Sequence, residues 1–165
     1  MMLKKILLPL WLLSCVSLGQ AQDTASSYYK NYFGFSGSRV SGVGLTFAME
    51  PEKKITIQIT GGIFRTSSNS SSSFGMELQY NLLNENYYRI FIGPAVGTFS
   101  SVDNAGTNHE ESNSESVFGF AMGGAAPLSG IFDNRLRFSV TLYYPAFYKD
   151  NSITVGLGGT LHFLF

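Results

Sequence analysis

Acyl removal or transfer without a cofactor needs a nucleophile, a base and a group that orients the base. For the base this chain offers only two histidines, His109 and His162. His109 stands beside Glu110 and Glu111, with Ser112 and Ser114 following, a mixture common in solvated loops. His162 lies three residues before the terminal Phe165. The stretch Ser100 to Ser116 holds Asp103, Glu110, Glu111 and Glu115 with no Lys or Arg. Its carboxylates would attract a divalent cation or a basic partner, but their spacing matches no EF-hand loop, so the segment reads as solvated negative surface. The glycines from Val155 to Gly159 are followed by no helix that could receive a phosphate. Cys15 is the sole cysteine, which excludes an intrachain disulfide or a multi-Cys zinc site. Eleven Lys and Arg balance 11 Asp and Glu, and no basic cluster exceeds Lys53 and Lys54, so a nucleic-acid partner is excluded. Nothing in these patterns calls for a metal or a cofactor.

The elements that would position such residues begin after a processed leader. Lys4 and Lys5 precede the apolar run Ile6 to Leu13, and small residues follow at Gly19 and Ala21. The run is too short for a spanning helix and reads as a secretory signal peptide over residues 1–21, leaving 22–165 as one domain. Leu12, Leu13, Ser14 and Cys15 offer a rival reading, a lipoprotein box with an untypical leucine before the serine.

Beyond residue 22 the chain alternates apolar with small or polar residues, the period of a strand. At the end, Val155, Leu157, Gly159, Leu161, Phe163 and Phe165 share one face, with Thr154, Gly156, Gly158, Thr160 and His162 on the other. The same alternation sets Leu136 to Tyr144 against Arg135 to Tyr143, Phe74 to Leu82 against Gly75 to Asn81, and Ile55 to Ile63 against Thr56, Gln58 and Thr60. Glycine-rich versions run through Gly42 to Met49 and Phe118 to Gly123. A seventh strand, Tyr88 to Thr98, contains Pro94, which belongs at an edge or bulge, and an eighth runs from Tyr28 to Ser36. Short turns at Glu50–Lys54, Leu83–Asn86 and Pro127–Asn134 then fall at one end. Long polar loops at Thr66–Ser73 and Ser100–Ser116 fall at the other, with brief connections near Gly37 and Asp150.

Alternation fits either a soluble sandwich with its apolar face inside or a membrane barrel with that face outside. Strands of about ten residues match a tilted bilayer crossing better than the five or six usual in soluble sheets. Aromatic residues tip the apolar faces, with Tyr80, Tyr87 and Tyr88 near one rim and Phe64, Phe74, Phe99, Phe118 and Tyr144 near the other, as interfacial girdles do. The opposite face of Gly, Ala, Ser and Thr suits a narrow interior. An open sheet edge in hydrocarbon would leave backbone groups unpaired, so the strands must close. The expected fold is all-β, an eight-stranded antiparallel up-and-down transmembrane β-barrel. Its glycine-rich face, including Gly42, Gly44, Gly75, Gly93, Gly119, Gly156 and Gly158, would leave room for water. Lys30, Glu50, Glu77, Arg89 and Arg137 would point inward, paired or hydrated.

The chain resembles the small eight-stranded outer-membrane barrels of Gram-negative bacteria, the type of the OmpA transmembrane domain, OmpX and the opacity proteins. The most specific element is the last strand, where Leu157, Leu161, Phe163 and Phe165 look like the signal such proteins present to the outer-membrane assembly machinery, with Gly159 departing from the pattern. The resemblance implies both termini in the periplasm, outer-membrane lipids and lipopolysaccharide as surroundings, and a non-enzymatic anchor with exposed loops. Two alternatives stand beside it. One is a lipid A acyl hydrolase or transferase on the same scaffold, using His109 or His162. The other is a narrow pore or a lipocalin-like binder of a small apolar ligand.

Overall fold

The computed structural model describes residues 30–66, 69–85, 88–103, 111–128, 135–147 and 153–165. The leader region, with Cys15 and the rival processing site, lies outside them, as do Tyr87, His109 and Glu110. Eight strands follow one another: β1 Lys30–Ser38, β2 Gly42–Glu52, β3 Ile55–Arg65, β4 Ser70–Asn84, β5 Arg89–Asp103, β6 Glu111–Pro127, β7 Leu136–Phe147 and β8 Ile153–Leu164. Each pairs antiparallel with its neighbours, and β1 pairs with β8, closing the barrel. Closure is complete from Tyr32↔Leu164 to Ser38↔Gly158. The β2–β3, β4–β5 and β6–β7 connections lie at the end that carries both strand termini, here the terminal end. The other connections lie at the far end.

The apolar faces point out. Leu157 is 69% exposed and Phe138 45%, while the intervening Ser139 and Thr160 are buried. Thr56, Gln58 and Thr60 of β3 are buried, and so are Glu77, Gln79 and Asn81 of β4 and Arg137, Thr141 and Tyr143 of β7. Burial of polar groups and exposure of Leu, Ile and Phe all round the barrel is the inverse of a water-soluble core, where a contiguous apolar surface this extensive is rare. It is the arrangement of a barrel immersed in hydrocarbon. The chain is a membrane β-barrel, and the lipocalin-like alternative, which needs the opposite facing, is set aside.

Three expectations need correction. The serine-rich segments are not loops: β4 begins at Ser70, and Ser70 to Ser73 pair with both Arg65–Gly62 and Val102–Phe99. β5 and β6 likewise continue to the pair Asp103↔Glu111, so these strands reach 15 to 17 residues. About ten residues cross a bilayer, and the surplus forms a wall of hairpins standing beyond it. Hydroxyl side chains tolerate both water and the ladder, so their polarity had suggested loop where the neighbouring strands supply backbone partners. Pro94 stands at neither an edge nor a bulge. It faces outward opposite Phe120, and on the other side the β4 ladder passes from Glu77↔Ala95 to Tyr80↔Ile92 in unchanged register, with no pair between. Phe99, finally, is no girdle residue; it is half-buried and packs against the inner cluster of Val40, Ala95, Val117, Ala121, Tyr143 and Ala146.

Candidate functional site

Inside the terminal end a charged cluster forms. Arg89, the first residue of β5, reaches across to Glu50 near the end of β2, with Nη1 2.8 Å from Oε1. The same Nη1 donates to Thr56 Oγ1 at 2.8 Å, and the guanidinium lies 5.0 Å from the Phe91 ring centroid. Both charges are almost wholly buried, a situation tolerable only because each finds the other and a polar third group. Lys30 stands directly opposite Glu50 in the β1–β2 register. Arg137 donates to the Tyr32 hydroxyl at 3.3 Å and lies over its ring at 5.6 Å. His162 sits opposite Arg137 on β8, its ring 5.8 Å from that of Tyr32. Tyr32, Arg89, Arg137, Ser139 and His162 enclose a cavity of about 10 Å³, room for one water molecule. Arg89 Nε and His162 Nε2 are buried without a protein partner, and a water there would satisfy one of them.

Farther along, Glu77 accepts hydrogen bonds from Gln79 Nε2 at 2.7 Å and from the Tyr143 hydroxyl. Tyr143 stands on the opposite wall, so this contact spans the barrel and ties β4 to β7. The Tyr143 oxygen is also 2.8 Å from Ser41 Oγ. Ser41 belongs to the β1–β2 turn, and this turn folds into the barrel. Val40 and Ser41 at its tip are buried, with Val40 at the centre of the apolar cluster. Ser38 Oγ accepts from Val40 N at 3.0 Å and Ser41 N at 3.1 Å, closing the turn with its own side chain. Ser73 Oγ on β4 accepts from Val43 N at 2.9 Å and donates to Val43 O at 2.7 Å. Gly42 and Gly44, at φ 96° and 138°, supply the backbone conformations that bend the chain inward.

The turn changes the meaning of the glycine-rich face. A Cβ on Gly75 would lie 2.2 Å from Ser41 O, and one on Gly97 would lie 2.2 Å from Val40 O. Gly119 and Gly156 would meet the Val40 methyls at 3.1 and 3.2 Å. These glycines therefore make room for a folded-in segment of the chain, where the sequence pattern had suggested water. The signals that could have exposed this were Gly42 and Gly44 two apart beside a short far-end turn with an apolar residue at its tip, Arg39–Val40–Ser41.

The five inward charges thus separate. Glu50 and Arg89 pair directly with Lys30 adjacent in register, Arg137 is held by Tyr32, and Glu77 belongs to a different cluster with Tyr143. Leu157, Leu161, Phe163 and Phe165 line up on the outer face of β8, all exposed. Gly159 is not a gap in that stripe: the Phe138 ring from β7 lies 3.8 Å from where its Cβ would be. Asp103, Glu111 and Glu115 stand at the far end, on paired strands.

No protein-family model matches the chain, and no curated protein does. Among solved structures it is similar to Ail, the attachment invasion locus protein of Yersinia pestis, in complex with the heparin analogue sucrose octasulfate. That match has 11% identity and a TM-score of 0.46, over 83% of this chain and 97% of that one. It is also similar to the N-terminal β-barrel domain of Pseudomonas aeruginosa OprF, at 9% identity and a TM-score of 0.47, over 82% and 96% of the two chains. A second Ail structure matches at 13% identity and a TM-score of 0.44, over 83% and 97%. At such values these likenesses transfer no function to this chain.

Proposed function

We propose that the chain is a non-enzymatic integral outer-membrane protein: the barrel anchors it, and the tall hairpins β3–β4 and β5–β6 carry its contacts with the surroundings. The observation that carries this reading is the pairing of an apolar outer wall with an interior filled by its own side chains and by the β1–β2 turn. An interior filled in this way favours an anchor over a solute path. The periplasm is assigned to the terminal end, since the lengthened, serine-rich strands β4, β5 and β6 project from the far end, the side on which such barrels carry their extracellular extensions. Outer-leaflet lipopolysaccharide then surrounds the bases of those hairpins. The outward stripe Leu157, Leu161, Phe163 and Phe165 is the segment assigned to the assembly machinery. Fractionation tests the reading. The protein should be recovered in the outer membrane after carbonate washing and should change mobility on a detergent gel only after heating. Release by carbonate, or a mobility indifferent to heating, overturns it. Planar-bilayer recordings of the purified protein should show no steady ion conductance.

A further inference from the structure

The inward bend of β2 leaves the wall incomplete at one place. The β2–β3 ladder ends at Leu45↔Gly61, whereas β3 continues to pair with β4 as far as Arg65↔Ser70. Gly62 to Arg65 are thus paired on one side only, and the departing strand runs behind them: a Cβ on Gly62 would lie 2.3 Å from Val43 O. Two hollows meet at this notch. One, of about 760 Å³, lies on the outer wall and is bounded by Phe35, Leu45, Gly61, Ile63 and Phe74. The other, of about 280 Å³, lies at the far-end mouth above Val43 and is bounded by Phe99, Ser71, Ser101, Asn113 and Glu115. Phe64, Ser72, Ser73 and Ser100 line both.

We propose that this notch binds a single-chain amphiphile with an uncharged, hydroxyl-rich headgroup, a sugar-headed lipid in chemical terms. The inference rests on the membrane reading above. The hydrocarbon chain occupies the outer hollow, which opens from the band of exposed Phe, Leu and Ile that meets lipid, and where Gly61 contributes no side chain. The headgroup turns through the notch into the mouth. There the Glu115 carboxylate and Asn113 side chain, with the serine hydroxyls, offer acceptors and donors to sugar hydroxyls, beside the rings of Phe64 and Phe99. Among the described residues no Lys or Arg lines either hollow, so a phosphate or carboxylate head would face Glu115 there without a counter-charge. Serine hydroxyls at the junction suit the passage from hydrocarbon to polar head, because they serve as donor and acceptor alike.

The full chain is placed in phosphatidylcholine nanodiscs with the reporter substitution Phe64→Trp. Its fluorescence is titrated with bromine-labelled dodecyl glucoside and, separately, with bromine-labelled dodecanoate and dodecyl phosphate, with the Phe64-containing chain giving the background. Quenching should saturate with the glucoside at concentrations at least about tenfold lower than with either anionic probe, the difference expected when a charged head is left unpaired. Gly61→Leu fills the outer hollow at a position where an added Cβ meets nothing nearer than 3.8 Å, and should weaken glucoside quenching several-fold in a barrel of unchanged heat-modifiability. Quenching that rises without saturation, that is equal or stronger with the anionic probes, or that survives Gly61→Leu overturns the proposal. Failure of the underlying membrane reading would show separately, as a chain that does not insert into the discs in a heat-modifiable form.

Discussion

Gly75→Ala adds a single methyl group and tests the inward turn directly. Its Cβ would lie 2.2 Å from Ser41 O and 2.3 Å from Ser41 C, so the two backbones must part by about 1 Å to reach ordinary contact. β4 cannot supply that movement, being laddered to β3 and β5 on both sides of Gly75. The turn must yield, and the bonds that hold it are the Ser73–Val43 pair at 2.9 and 2.7 Å and the Ser41–Tyr143 contact at 2.8 Å. Overpacking costs about 1–3 kcal/mol and each hydrogen bond lost about 1 kcal/mol net, so the expected destabilisation is roughly 2–4 kcal/mol. Gly61→Ala is the matched control: it is also a strand glycine on an adjacent strand, but its Cβ would meet nothing nearer than 3.8 Å. Relief of glycine's backbone entropy there should be neutral or stabilising by about 0.5–1 kcal/mol. Urea unfolding of both variants in vesicles, followed by the heat-modifiable mobility shift, gives the comparison. Equal stabilities within about 0.5 kcal/mol would refute the inward turn.

Arg89→Met removes the ion-pair partner of the buried Glu50 carboxylate and should cost about 3–5 kcal/mol in the same unfolding assay. Combining it with Glu50→Gln should recover much of that loss, and simple additivity of the two changes would contradict a direct pair. Tyr143→Phe keeps the ring against Val40 but removes the hydroxyl that serves Glu77 and Ser41; a loss of about 1.5–3 kcal/mol is expected, read from the urea midpoint. Deleting Phe165 removes one exposed side chain of the outward stripe on β8. It should lower the amount recovered in the outer membrane of cells while leaving refolding into detergent micelles unchanged; equal loss in both would assign the residue to stability instead.

Much of the fold could be read from local pattern because strand alternation is a property of adjacent residues. Thr56, Gln58 and Thr60 face inward for the same reason that Ile55, Ile57 and Ile59 face outward, and one phase error would have moved all of them together. The charges follow the same parity, so Glu50, Glu77, Arg89 and Arg137 face inward whatever their partners are. The partners themselves were not legible. Glu50 and Arg89 lie 39 residues apart, and Glu77 and Tyr143 lie 66 apart. Which inward side chains meet depends on the stagger of eight closed strands, including the register shifts after Met49, Asn81, Gly119 and Tyr143.

Residue order by itself determined that this chain makes eight strands, which side of each meets lipid, and that the last one ends in an outward phenylalanine stripe. The tertiary structure alone decided that the serine tracts are strand, since a hydroxyl-rich segment extends only when neighbouring strands offer it backbone partners. It alone decided that the Arg39–Val40–Ser41 turn points inward, because that direction is favourable only where the opposing wall has glycines at Gly75, Gly97, Gly119 and Gly156 to receive it. The notch between β2 and β3 follows from that inward turn and from nothing in the local sequence of either strand.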